Sequence, residues 1–409
     1  LIIKNLESQV FYVSRGVGKI ITGTMSKPRQ RELHEKVTTF YMSQRGKSPP
    51  KNYAEVQLAL EEAYHRSKSG DTKGMAFVLF SMMPFLIDWG YIELAEQNIC
   101  QALKNSRDRN LTAPARAYMG RIADIRSNYP NALKQFRRAL HLYESVQNHS
   151  GKAQMLFRIG RVHNARNEFD LAKGFFEQCI QTCTDHGITD GRAASLLAMG
   201  WNVQQQSADV ETVLDLYNQS IEHAIRSEDM KTLSSAHREI GFLLATEREQ
   251  REEAQRHLEQ ALDVSEKHKL VKEIGALHAL MGYLHDKWGE YDKAEDSCQQ
   301  AIESFKAIGN SHGISSAYLN LGKVFESKKD LKRAIMWYEQ SRSMSVDINN
   351  PGGRAYACLR LGIVLRQDNQ LAEAEKFLLE AVRVSEGHNL METLRDAQKE
   401  LSKIKKLPK

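Results

Sequence analysis

The stretch Tyr318–Ser341 (YLNLGKVFESKKDLKRAIMWYEQS) decides the fold of this chain, because its spacing recurs along most of the sequence. Gly322 follows a leucine, and Ala334, Tyr338 and Ser341 come later at helical spacing. Apolar residues three and four positions apart form one stripe along a helix. Small residues at fixed points let two antiparallel helices approach closely. The stretch therefore predicts a helix hairpin with its turn at Lys329–Leu331.

This pattern returns every 40 or 41 residues. A large apolar residue precedes each repeat glycine, and the glycines are Gly120, Gly160, Gly200, Gly241, Gly282, Gly322 and Gly362. The small residue of the second helix follows at Ala132, Ala172, Val213, Ala254, Ala294, Ala334 and Ala374. One hairpin cannot bury its own apolar stripe, so neighbouring hairpins are expected to stack into a continuous core.

The spacing resembles the tetratricopeptide repeat family, in which a Leu-Gly pair marks the first helix and Ala…Phe/Tyr…Ala marks the second. The resemblance runs from about residue 112 to 385, with a period of 40 where the family commonly has 34, and Val213 departs from the expected alanine. It implies an all-α, right-handed superhelical solenoid of antiparallel helix hairpins. It also implies a protein that binds other macromolecules, since long repeats are typical of peptide-binding and signalling members.

Four segments follow from the pattern. We expect a basic N-terminal segment at 1–51, irregular hairpins at 52–111, seven repeats at 112–388, and a capping helix with a basic tail at 389–409. A degenerate first repeat is expected at 72–106, with Met83 in place of the glycine. Since Leu1 enters in the middle of a pattern, we expect the chain to be part of a longer protein.

The order of elements in the N-terminal segment resembles the signal-transduction ATPases with numerous domains (STAND proteins). In that family a winged-helix module ends in a strand and a short helix, and a helix with an R-x-x-L-H pattern and a repeat sensor follow. The corresponding stretches here are a strand within Leu6–Ser14, a helix near Gly16–Thr22 and a helix at Pro28–Gln44. Arg31, Leu33 and His34 match the R-x-x-L-H pattern approximately. The resemblance implies a winged-helix remnant here and an NTPase upstream.

The positive charge is concentrated at the N-terminus. The chain has a net charge of +6, and residues 1–51 carry +7, so the remainder sums to −1. A basic segment can meet nucleic acid, an anionic membrane or an acidic protein, or it can be an ordinary solvated face. The near-neutral repeat array disfavours a nucleic-acid-binding solenoid, which needs a continuous basic stripe.

Motifs for cofactors and catalysis are missing from the sequence. Gly16–Lys19 resembles part of a phosphate-binding loop, but Val13 and Ile20 stand where that loop needs glycine and Ser/Thr. His163 and His285 occupy hairpin positions and are expected to be buried, hydrogen-bonded residues. We therefore expect no cofactor, no metal and no enzymatic activity.

Cysteine usage and hydropathy indicate a cytoplasmic protein. The five cysteines, an odd number, suit free thiols in a reducing compartment. Cys179 and Cys183 share one helix face, but no further metal ligands lie near them in sequence, so packing is the expected role. The apolar run Met75–Ile87 is too short to span a bilayer and is expected to be a buried helix, so no membrane partner is predicted.

The binding surface is expected on the first helices of the hairpins, which line the concave side in the family. The inward positions lie two and three residues before the repeat glycine and one and four residues after it. The candidate ligand-binding residues are Tyr118, Arg121, Phe157, Arg158, Arg161, Asn164, Trp201, Arg238, Asn320, Lys323 and Arg360. The same positions also hold Asp124, Leu197, Gln204, Glu239, Phe242, Tyr283, Asp286, Glu326 and Arg366.

This mixture of arginine, asparagine and aromatic residues suits an extended peptide, and the arginines favour an acidic one. Trp201 is expected to be partly exposed, either as a contact or packed on a neighbouring helix. The leading hypothesis is a protein- or peptide-binding sensor or scaffold within a larger signalling protein. The alternatives are a peptide-responsive transcription regulator of the bacterial quorum-sensing type and a nucleic-acid-binding solenoid.

Overall fold

The computed structural model describes residues 2–5, 10–13, 25–45, 50, 53–104, 108–189, 191–206, 209–388 and 390–405. Nearly all of these residues are α-helical. The chain divides into two compact units, Leu1–Gly151 and Lys152–Lys409. In the part of the chain that is described, every helix is too short or too polar to traverse a lipid bilayer.

Unit 1 begins with an antiparallel pair of short strands, β1 (Ile2–Asn5) and β2 (Val10–Val13), in which Ile2 lies opposite Val13. Its helices are α1 (Lys27–Gln44), α2 (Tyr53–Ser69), α3 (Thr72–Asp88), α4 (Ile92–Lys104), α5 (Arg109–Ile125) and α6 (Tyr129–Ser145). Strand β2 falls within the predicted strand, and α1 matches its prediction to within one residue. The helix predicted near Gly16–Thr22 lies outside the described residues.

The core of unit 1 is built around α3. Its side chains Met83 and Leu86 are fully buried and belong to one apolar cluster with Ile99 of α4 and Ile122 of α5. The prediction of a buried helix at Met75–Ile87 is therefore confirmed, with the exception of Phe77, which is 74% exposed. Met83 takes the buried position that glycine holds in later hairpins.

Unit 2 consists of paired antiparallel helices. They are α7 (His149–Ala165, which begins in unit 1), α8 (Phe169–Asp185), α9 (Arg192–Gln206), α10 (Val210–Arg226), α11 (Met230–Glu247), α12 (Arg251–Lys267), α13 (Val271–Lys287), α14 (Tyr291–Ala307), α15 (Ser311–Ser327), α16 (Leu331–Asp347), α17 (Pro351–Gln367), α18 (Leu371–His388) and α19 (Met391–Lys405). From α7 to α18 the odd-numbered helices are the first helices of the predicted hairpins and the even-numbered ones are the second helices, while α19 lies in the segment that was predicted to hold a capping helix. The predicted all-α architecture of stacked hairpins is confirmed.

Short polar connections end one helix and start the next. Before α17, Asn349 adopts a left-handed conformation (φ 51°), and the side chain of Asn350 accepts a hydrogen bond from the backbone N–H of Gly353 at 3.1 Å. The carboxylate of Asp330 caps α16 in the same way through the N–H of Arg333 at 3.1 Å. Such caps satisfy backbone donors that the first helical turn leaves unpaired. The repeated turns thus set the positions of the helices in each hairpin.

The repeat glycines mark the closest approach between the two helices of a hairpin. A Cβ atom at Gly322 would lie 2.7 Å from the ring of Tyr338, and one at Gly160 would lie 2.6 Å from the ring of Phe176. At Gly282 it would lie 2.6 Å from the sulfur of Cys298. These distances are too short for real contacts, so the register that was predicted from the glycine spacing is confirmed.

Candidate functional site

The first helices of unit 2 form the more tightly packed of its two layers. Helix α9 contacts α11, and contacts of this kind continue from α11 to α13, α15, α17 and α19. Among the described residues, successive second helices make no contacts of comparable extent. A stack whose layers differ in this way curves toward the closer-packed layer. The first helices therefore line the inner side of the curve in unit 2.

On this inner layer, side chains of one first helix contact residues of the preceding first helix that lie about one repeat earlier in the sequence. The ammonium of Lys323 lies 4.7 Å from the ring centroid of Tyr283, and both residues directly follow their repeat glycine. The side-chain amide of Asn320 donates a hydrogen bond to the carbonyl of Ala279 at 3.0 Å. Equivalent positions on successive first helices therefore lie side by side and form rows across the layer.

One of these rows consists of the residues that directly follow the repeat glycine. Its members in unit 2 are Arg161, Trp201, Phe242, Tyr283, Lys323 and Ile363. We call Trp201, Phe242 and Tyr283 the aromatic row. Trp201 is 36% exposed, as expected, and Phe242 and Tyr283 are partly exposed. Cationic residues follow at both ends of the aromatic row.

Several of the predicted cations are already held by partners within the chain. Arg238 pairs with its neighbour Glu239 at 2.6 Å. Arg360 pairs with Glu326, which also accepts a hydrogen bond from the hydroxyl of Tyr338 at 2.8 Å. By contrast, Arg161 is exposed and has no ion pair to a described residue. The positive charge that this face offers to a ligand is therefore smaller than the residue types suggest.

Two predicted site residues lie in unit 1 and are tied to that unit. The hydroxyl of Tyr118 donates to the carbonyl of Phe80 at 3.2 Å, and the two rings stack. Arg121 lies over the ring of Tyr118 and 3.5 Å from the carboxylate of Asp88. These contacts connect α5 to α3, so both residues have a structural role here.

Asn164 does not line an exposed groove as the sequence suggested. It is buried, and its side-chain oxygen accepts a hydrogen bond from Asn202 at 2.7 Å, while Asn202 also donates to the carbonyl of Phe169 at 2.9 Å. The network ties α7 to α9. Asp286, expected on the same face, is also buried.

Sequence reasoning missed Asn202, although a signal was present. Asn202 stands two residues after its repeat glycine, where the other repeats have Ile122, Val162, Leu243, Leu284, Val324 and Val364. A polar residue in an otherwise apolar core position needs a hydrogen-bond partner. The exception in this position therefore indicated a buried amide network.

The histidines behave as packing residues, with one additional feature. The Nδ1 atom of His163 lies 2.5 Å from the carboxylate of Glu168, and His285 lies 3.3 Å from the hydroxyl of Ser297. His237 and His257 place their Nδ1 atoms 3.0 Å apart, and burial lowers the pKa of His237 to about 4. No group of three or more His, Cys, Asp or Glu side chains within the described ranges could hold a metal ion.

Comparison with known proteins shows which families and structures this chain resembles. Residues 239–405 match the family described as the MalT-like TPR region. No curated protein sequence matches this chain. A Rap protein in complex with competence and sporulation factor is similar in structure, with a TM-score of 0.55 and 15% identity over 93% of this chain and 97% of that one.

Two further structures are similar to most of this chain. A STAND protein with a tetratricopeptide repeat sensor from Pyrococcus horikoshii has a TM-score of 0.60 and 11% identity, over 96% of this chain and 58% of that one. The Rap conjugation gene regulator of plasmid pLS20, in complex with the Phr* peptide, has a TM-score of 0.53 and 12% identity, over 90% of this chain and 98% of that one. At these identities the likeness concerns the fold.

Proposed function

We propose that unit 2, in which residues 239–405 match the MalT-like TPR region, is a scaffold that binds an extended segment of another protein along the aromatic row. The observation that carries this proposal is the alignment of Trp201, Phe242 and Tyr283 on the inner layer, with Trp201 36% exposed. Aromatic side chains combine a large contact area with low conformational entropy and are enriched at interfaces.

The spacing of the row suggests the conformation of the bound segment. Packed helices lie about 8–10 Å apart. A polyproline II segment rises about 3.1 Å per residue with three residues per turn, so every third side chain faces the same way after about 9 Å. A segment with apolar side chains at every third position therefore matches the aromatic row.

Charge has a secondary role in this proposal. With Arg238 and Arg360 paired to Glu239 and Glu326, Arg161 is the cation best placed to meet a carboxylate of the ligand. An acidic residue near one end of the bound segment would suit this arrangement. Arg161→Glu would then weaken binding more at low than at high salt.

Photocrosslinking tests the location of the site. Phe242 is replaced by p-benzoylphenylalanine, and the control carries the same residue in place of Ile225, which is 58% exposed on the second helix α10. We expect a discrete crosslinked polypeptide at position 242 in cells of the source organism. An equal yield of the same product at position 225 would rule out the inner layer as the binding site.

A role as the sensor of a larger signalling protein is the setting that we favour. The fold likeness to the STAND protein covers nearly all of this chain and 58% of that protein, which supports an upstream NTPase. A peptide-responsive regulator is the second candidate, supported by the likeness to the plasmid regulator with its peptide. The crosslinked segment, added to the full-length protein, should change ATP hydrolysis in the first case and DNA binding in the second.

A further inference from the structure

Cys179 and Cys183 form a buried pair of thiols on α8, both at most 1% exposed. They lie four residues apart on one face of the helix, and the Cys179 thiol hydrogen bonds with Cys183. A Cβ atom placed on Gly191 would be in van der Waals contact with both thiols, 3.8 Å from the sulfur of Cys179 and 4.0 Å from that of Cys183. Both sulfurs therefore face Gly191, the residue that directly precedes α9.

The surroundings favour negative charge on these sulfurs. Gly191 directly precedes α9, so the thiols lie at the N-terminal end of that helix, where the helix dipole stabilises anions. The hydroxyl of Ser195, in the first turn of α9, is fully buried, faces Cys179 and makes no hydrogen bond to nitrogen or oxygen of a described residue. These contacts, led by the one with Cys183, lower the pKa of Cys179.

Two other buried cysteines provide a comparison within the same unit. Cys298 and Cys358 each stand without a second thiol, and burial raises the pKa of both to about 12. Burial alone therefore does not account for the behaviour of Cys179. The difference lies in the hydrogen bonds that Cys179 makes with the second thiol, the hydroxyl of Ser195 and the backbone of Phe157.

The spacing of Cys179 and Cys183 restricts which bonds the two thiols can form and which metal ions they can form a site for. Helical residues four apart have Cβ atoms about 5–6 Å from each other, whereas a disulfide needs about 3.5–4.5 Å. Zinc needs four ligands in a structural site, and no third His, Cys, Asp or Glu joins the pair among the described residues. Soft thiolates select Cu(I), an ion that is satisfied by two sulfurs in a nearly linear arrangement.

We infer that Cys179 and Cys183 form a binding site for one Cu(I) ion between α8 and the start of α9. Binding forms two copper–sulfur bonds and releases both thiol protons, and no electron is transferred. The complex carries one negative charge, which the N-terminal end of α9 and the hydroxyl of Ser195 stabilise. None of Cys179, Cys183 and Ser195 belongs to the aromatic row.

Anaerobic competition against a chromophoric Cu(I) chelator tests the site, using the whole chain in reduced form. We expect the wild type to withhold one Cu(I) per chain from the chelator. Cys183→Ser should lower the affinity more than tenfold, whereas Cys298→Ser should leave it unchanged. X-ray absorption at the copper edge should show two sulfur ligands.

Three results would overturn the proposal: no Cu(I) retained by the wild type, equal affinity in Cys183→Ser, or a copper site with three sulfurs. Circular dichroism of each variant shows whether it is folded. Should Cys183→Ser fail to fold, Ser195→Ala keeps both sulfurs and removes only the buried hydroxyl. We expect that variant to bind Cu(I) more weakly, and an unchanged affinity would contradict the assigned role of Ser195.

Discussion

At the scale of single residues, the repeat glycines determine how closely the two helices of each hairpin can approach each other. In Gly282→Leu the new side chain would enter space that the sulfur of Cys298 occupies, 2.6 Å from the Cβ position. Overpacking of this kind costs about 1–3 kcal/mol or more. We therefore expect a lower midpoint of urea unfolding, measured by circular dichroism.

Gly174 of α8 provides the matched control for this prediction. It is helical, and a Cβ atom there would meet nothing within 4 Å. Gly174→Ala should leave stability unchanged or raise it by up to about 1 kcal/mol through helix propensity. Unchanged unfolding of Gly282→Leu would contradict the register of the hairpins.

The pair His237–His257 predicts a pH dependence of stability. Burial lowers the pKa of His237 to about 4, and the neighbouring His257 adds to the effect, while an unfolded histidine titrates near pH 6.5. Between about pH 6.5 and 4 the unfolded chain binds more protons, so stability falls as the pH is lowered. His237→Gln should reduce this pH slope of the urea midpoint.

His268→Gln removes an exposed histidine at the end of α12 and controls for the loss of an imidazole. It should retain the slope of the wild type. A wild-type slope in His237→Gln would show that the pair does not govern the pH response.

Single residues also show which features of the structure could be predicted from the sequence and which could not. The exposure of Trp201 could be predicted because the position after the repeat glycine points away from the partner helix. The burial of Asn164 could not be derived from its own position, because it depends on Asn202 of the next hairpin, 38 residues later. The pairing of Arg360 with Glu326 depends in the same way on how two helices are rotated.

At the scale of elements, a buried carboxylate joins three helices near the C-terminal end. Glu380 of α18 accepts hydrogen bonds from Arg342 of α16 and Arg354 of α17, each at 2.8 Å. Burial alone would raise the pKa of Glu380, but these two arginines outweigh it and hold the pKa below its usual value. The ionised carboxylate therefore stabilises the folded state.

Glu380→Gln should lower stability at pH 7 by about 1.5–3 kcal/mol, the range for hydrogen bonds to charged groups. The contribution is complete above the pKa of an unfolded glutamate, about 4.3, and is lost as the pH falls through the lower folded value. The difference between wild type and variant should therefore shrink below about pH 4. Glu339→Gln, at an exposed position of α16, should have little effect.

At the scale of the whole molecule, stacking makes each hairpin depend on its neighbours. Ala397 and Leu401 of α19 cover Cys358 and Leu378 of the preceding hairpin. Removing residues 391–409 should expose this surface and speed amide hydrogen exchange in α17 and α18. Exchange in α7 and α8 should change little, and equal acceleration throughout unit 2 would contradict a nearest-neighbour stack.

The repeat spacing was sufficient to predict the hairpins and their stacking, because the same small and apolar residues recur in each repeat. It was not sufficient to predict which side chains of successive first helices contact one another. The spacing shows that Trp201, Phe242 and Tyr283 share the position after the repeat glycine, and the contact between Lys323 and Tyr283 shows that residues at this position lie side by side.

Isothermal titration calorimetry with the crosslinked partner segment tests the role of the aromatic row most directly. Trp201→Ala should weaken binding at least tenfold, about 1.4 kcal/mol, whereas Ile225→Ala should leave the affinity within about twofold, since it also removes an exposed apolar side chain but lies on a second helix. Wild-type affinity in Trp201→Ala, or an equal loss in both variants, would contradict binding along the aromatic row.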